Sequence, residues 1–184
     1  RLLLLALASM VLWLQPASAG EFRKGISAFR FGHYEDAVAL LKPLAIAGDP
    51  YAQFSMGVLY DDGLGVPRNF RLALLWYERS ARQGLADAQY MTGRFYGNGR
   101  GVKEDAAAAL FWFELAAAAG HPQAPLLRDQ QWNQLNSPRR DRVAADAARW
   151  QSENPRQLTC RWKGCIYPRW TARPGWTIID RDEL

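Results

Sequence analysis

Residues 52–123 write one 36-residue pattern twice without a gap. The first copy begins AQFSMGVLYDDGLGV and closes ALLWYERSARQG; the second begins AQYMTGRFYGNGRGV and closes ALFWFELAAAAG. Thirteen aligned positions are identical, several times what composition alone supplies. Self-similarity at a period between about 20 and 50 residues marks a stacked array, in which each unit is too small to bury its own apolar face and its neighbours supply the core.

The repeated positions predict what each unit looks like. Ala52/Ala88, Gly57/Gly93 and Tyr60/Tyr96 fall at helical spacing on one face of a first helix, where small residues admit a close second helix and the tyrosine fills the wider end. Gly63-Leu64-Gly65-Val66 and Gly99-Arg100-Gly101-Val102 are tight loops, the glycines allowing positive φ and the valine tucking back into the core. Asn69 and Asp105 stand where a second helix needs an N-cap acceptor. Ala73/Ala109, Trp76/Trp112 and Ala81/Ala117 mark that helix's apolar face, and Gly84/Gly120 end it as left-handed caps.

The pattern A-x4-G-x2-Y-x2-G-x-G-V-x6-A-x2-W-x4-A-x2-G, matched in both copies, resembles the Sel1-like repeat, a relative of the tetratricopeptide repeat with a longer, glycine-rich inter-helix loop. Residues 21–48 read as a further hairpin without that loop. Gly25, Gly32, Tyr34, Ala37 and Leu41 are similar to plain tetratricopeptide spacing, and Ala37, Ala45 and Gly48 stand in register with Ala73, Ala81 and Gly84. After Gly120 the pattern weakens. PQAPLLRDQQWNQL reads as a last first-helix with Pro125 in its opening turn, and Ser137, as N-cap before Pro138, restarts the chain into a capping helix. Its stripe is Val143, Ala144, Ala147 and Trp150. The expectation is eight helices in four hairpins, an all-α solenoid over residues 20–154, followed by an irregular tail at 155–184.

The two ends carry their own signals. Residues 1–19, RLLLLALASMVLWLQPASA, combine one basic residue, an apolar run, a proline and small residues at Ala17 and Ala19, the composition of a secretory leader cleaved after Ala19. The apolar run is short for a bilayer core of about 30 Å, so no stable membrane insertion is expected once it is removed. An exported location follows, periplasmic or secreted. The ending Arg181-Asp182-Glu183-Leu184 resembles an endoplasmic-reticulum retrieval signal and sets the lumen of that compartment as the alternative. In the tail, Cys160 and Cys165 are the only cysteines, and in an exported chain such a pair most simply forms a disulfide around Trp162-Lys163-Gly164.

Chemistry is harder to place. The net charge of +5 is modest and concentrated in the tail, which fits a solvated surface and no nucleic acid. His33 and His121 stand at turns 88 residues apart, where exposure is the ordinary outcome, and no nucleophile, base and orienter assemble around them. Gly97-Asn98-Gly99-Arg100-Gly101 follows a helix rather than a strand, so it is a repeat loop and not a phosphate loop. Asp61 and Asp62, being adjacent, point to different faces of a helix end. No cofactor or metal is implied, and no enzymatic activity.

What remains is surface. In arrays of the resembled family, first helices line the concave side and bind extended peptides or other protein segments. Carried over by register, the groove comprises Tyr51, Phe54, Val58, Asp61 and Asp62, then Asp87, Tyr90, Arg94 and Asn98, extended by Phe29 and Arg30. Phe54 and Tyr90 have interhelical packing as the alternative, and the tail's tryptophans offer a lid or a second contact. The expectation is a monomeric module for another protein or peptide segment; the alternative is a cell-envelope enzyme, or an inhibitor or regulator of cell-wall metabolism.

Overall fold

A computed structural model of the protein describes residues 15–155, with side chains described from Gly20 onward. Cys160 and Cys165, the three tail tryptophans and most of the leader lie outside the described residues. Eight helices occupy the described chain: α1 (Gln15–Arg30), α2 (Tyr34–Ile46), α3 (Pro50–Asp62), α4 (Phe70–Ala81), α5 (Ala86–Gly97), α6 (Ala106–Ala118), α7 (Ala124–Gln134) and α8 (Ser137–Glu153). Consecutive helices pack on one another from α1 to α7, and α8 packs on α6. This is the expected all-α solenoid, with three packed hairpins; the expected fourth differs, since α7 and α8 both lie against α6 rather than against each other. Helix α1 starts upstream of Ala19, so the expected leader junction falls inside it.

Each hairpin is held by a small residue facing a large one. A Cβ on Gly57 would lie 2.5 Å from Cδ1 of Tyr77, and one on Gly93 would lie 2.8 Å from Cδ1 of Phe113. The first hairpin repeats the device with Gly25 against Leu41. The loop glycines do a second job that the sequence did not reveal. Gly65, at φ +66°, brings its Cα against the Tyr34 carbonyl of the preceding hairpin, and Gly101, at φ +69°, does the same at Phe70, 36 residues on. There a side chain would meet backbone, which cannot turn aside.

The caps are as the residues require. Asn69 accepts from the Leu72 amide, and Asp105 from the amides of Ala107 and Ala108. The same two residues donate their own amides to the carbonyls of Tyr60 and Tyr96, which ties each second helix to the end of the first. Gly48, Gly84 and Gly120 all adopt positive φ beyond their helices. Pro125 sits in the opening turn of α7. At α8 the cap is Asn136 rather than Ser137: its side chain accepts from the Arg139 amide, and Ser137 is already helical.

One repeated polar rung escaped the sequence reading. Gln53 Nε2 donates to the Ala45 carbonyl at 3.0 Å, and Gln89 Nε2 to the Ala81 carbonyl at 3.3 Å. Each glutamine thus gives a second donor to a carbonyl at the end of the preceding second helix, one that already accepts from the amide of the capping Gly48 or Gly84. Being polar yet buried, and identical in both copies, the pair was visible as an anomaly beside Ala52 and Ala88.

Candidate interaction surface

Six of the eleven positions assigned to the groove are buried. Phe29 stands edge-on to Tyr34 at 5.7 Å. Phe54 packs on Tyr77 at 5.5 Å and Tyr90 on Phe113 at 5.9 Å, so both are interhelical packing and no exposed aromatic floor forms. The cause is the stacking itself: α3 and α5 are each packed between their own second helix and the second helix of the preceding unit. Val58, Asp61 and Asp87 are buried with them. Arg30, Tyr51, Asp62, Arg94 and Asn98 reach solvent.

Asp61 is no helix-end surface residue. Its Oδ1 lies 2.6 Å from Nη2 of Arg100, 39 residues away in the next unit's loop. The Arg100 guanidinium also lies over the rings of Phe70, at 4.4 Å, and Phe95, at 5.0 Å. Burial pushes the Asp61 carboxyl up, and Arg100 opposes that shift. The glycine-rich loop therefore aims its arginine inward at the neighbouring repeat. Position 64, the counterpart of Arg100, holds leucine, which is why the repeat alone could not show the pairing.

His121 also departs from expectation. It is buried, with only 6% exposure, while His33 is exposed. Its ring stacks on Tyr90 at 4.0 Å and 15°, its Nδ1 accepts from the Gln123 amide at 3.2 Å, and its Nε2 stands 3.5 Å from Asp87 Oδ1. Burial lowers its pKa to about 4. The imidazole is thus neutral at pH 7, with its proton on the nitrogen facing Asp87. Two titrating groups meet here, but Tyr90 covers the ring and both nitrogens are engaged. The cluster is built to pack, and it offers no open base. Among the described residues no group of three His, Cys, Asp or Glu side chains converges to hold a metal.

A family model described as the Sel1 repeat matches residues 50–85 and 86–121, the two copies. The crystal structure of a Sel1 repeat protein from Oxalobacter formigenes is 33% identical, covers 61% of this chain and 88% of its own, and superposes with a TM-score of 0.57. The chain belongs to the Sel1 repeat family. Another Sel1-like array is that of c5321, described as a protective antigen present in uropathogenic Escherichia coli strains displaying an SLR fold. It is 22% identical, with a TM-score of 0.71 over 89% of this chain. That likeness carries the fold alone, and this chain spans only 35% of c5321. No curated protein matches the chain.

Sel1 repeats in general serve protein–protein interaction. In this Sel1 array the close-contact positions Gly57/Gly93 and Ala52/Ala88 are constant, whereas the solvent-reaching Asp62 is replaced by Asn98, and Arg94, which reaches solvent, stands where the first copy has the buried Val58.

Proposed function

We propose that the protein is an exported, non-enzymatic interaction module that docks an extended segment of another protein along its row of first helices. The contact set is Tyr51, Asp62, Arg94 and Asn98, with Arg30 at the N-terminal end. The buried Phe54, Val58, Asp61, Asp87, Tyr90 and Phe29 hold that row rigid beneath them. The observation that carries this reading is the contrast just described: a partner of non-repeating sequence needs a constant frame with different side chains at equivalent positions. Export rests on the composition of residues 1–19, and a periplasmic or secreted location follows from it. The rival reading, a cell-envelope enzyme or regulator, would need a titrating pair open to solvent, and the Asp87–His121 pair is closed.

The test is a crosslinking pull-down from the native envelope with the parent and with a Tyr51→Ala, Asp62→Ala, Arg94→Ala variant, both shown to fold by far-UV circular dichroism. A partner crosslinked by the parent and lost by the variant supports docking on the first-helix row. Equal capture by both overturns it.

A further inference from the structure

The outer face of α4 differs in chemistry from that of every other second helix. Arg71, Leu72, Leu75, Arg79 and Arg82 follow one another at spacings of one, three and four residues, so they share one side of the helix, and Arg68 precedes them in the entering loop. All are exposed. Leu72 and Leu75 keep 36% and 40% of their surface in water, among the five large apolar side chains so exposed in the described chain. The corresponding faces are mixed in charge on α2 (Glu35, Asp36, Lys42) and α8 (Arg139, Asp141, Arg142, Arg149). On α6 the face is nearly uncharged, with Ala107, Ala108 and Phe111.

Two of these arginines lie against aromatic rings. Arg79 lies over the Trp76 ring at 4.7 Å, and Arg68 over the Phe70 ring at 5.4 Å. Held on aromatic faces, these guanidinium planes have less side-chain freedom to lose when a carboxylate arrives. Arg71 and Arg79 make no ion pair among the described residues, and Arg68 makes none either, though it stands within electrostatic reach of the Asp61 carboxylate. Glu78, the one acid within α4, is already engaged, accepting from the Tyr96 hydroxyl at 2.7 Å and lying 3.5 Å from Arg82.

We propose that this face is a second docking surface, independent of the first-helix row, and that its occupant is an acidic amphipathic helix of another protein. Such a helix would set leucine-like side chains between Leu72 and Leu75 and glutamates or aspartates against the flanking arginines. Charge complementarity selects this occupant over the alternatives on the page. The chain's own residues 156–184 carry six basic and three acidic side chains and would be repelled. A second copy meeting face to face would set arginine against arginine. A bilayer would receive only two half-covered leucines from a helix fixed against its own protein. A face roughly 18 Å long, one helix of twelve residues, fits a transient contact with a Kd on the order of micromolar.

The test uses the full chain and three probes: a labelled synthetic helical peptide with a leucine stripe flanked by glutamates, the same peptide with lysines for glutamates, and phosphatidylcholine vesicles with and without phosphatidylserine. The acidic peptide is expected to bind, to weaken as salt rises, and to lose at least about tenfold in affinity with Arg71→Glu/Arg79→Glu. Loss of several-fold is expected with Leu72→Ser/Leu75→Ser. Arg139→Glu/Arg142→Glu on α8, and the Tyr51, Asp62 and Arg94 substitutions, are expected to leave binding unchanged. The last comparison separates this surface from the first-helix row. Failure of the acidic peptide to bind, equal binding of the lysine peptide, binding that survives Arg71→Glu/Arg79→Glu in a folded chain, or association with anionic vesicles in place of the peptide would each overturn the proposal. So would binding that appears only in a concentration-dependent dimer.

Discussion

Gly57 and Gly65 are both glycines for want of space, yet they differ in what surrounds them. At Gly57 a side chain would press on the edge of the Tyr77 ring, which can shift only by disturbing Phe54 and Phe95, its packing neighbours. At Gly65 the obstacle is the Tyr34 backbone, and φ is positive as well. Gly57→Val or Gly93→Val is expected to destabilise by roughly 2–3 kcal/mol, and Gly65→Val by more, measured by urea unfolding. Stability unchanged at Gly57 and Gly93 would sink the close-contact account of the hairpins. The need for small residues was legible because the glycines repeat. That Gly65 and Gly101 lie against the preceding unit was not, since a local pattern does not say which distant backbone approaches.

The junction between α6 and α7 carries the clearest pH dependence. His121 is neutral in the fold, with its pKa lowered to about 4 from an ordinary 6.5. The unfolded chain therefore binds the proton first. The contribution is complete above about pH 6.5, falls as pH drops through the window, and is gone near pH 4, with an upper limit of about 3 kcal/mol. Carboxylates titrate in the same range, so the informative quantity is the difference from His121→Leu, leucine being what the first repeat carries at position 85. The parent is expected to lose more stability than the variant between pH 7 and 4.5 in urea titrations. Matching slopes would show that the imidazole is not held neutral by burial. Exposure at a turn was a fair expectation for His121, but the turn leads into α7 and is roofed over by Tyr90. At Asp105 and Asn69, by contrast, the cap depends on neighbours a few residues away, and sequence sufficed.

At the scale of the molecule, each hairpin depends on the next. Leu110 of α6 is buried with Leu135 and Val143, which the chain beyond α6 supplies. A chain ending at Pro122 is expected to melt more than about 10 °C lower, or to lose solubility, in a far-UV circular dichroism scan against the parent. An unchanged midpoint would mean that the third hairpin needs no cover. The sequence by itself determined the all-helical array, its register, the paired glycines and most of the caps, because these follow from a period and from local backbone demands written twice. Only the tertiary structure decided which side chains remain open to a partner. Packing of α3 and α5 between second helices buries Phe54 and Tyr90. Arg100 turns inward to Asp61 across repeats, and the leucines and arginines of α4 are left in water. Burial depends on distant neighbours, and where the two copies differ, a repeat does not encode them.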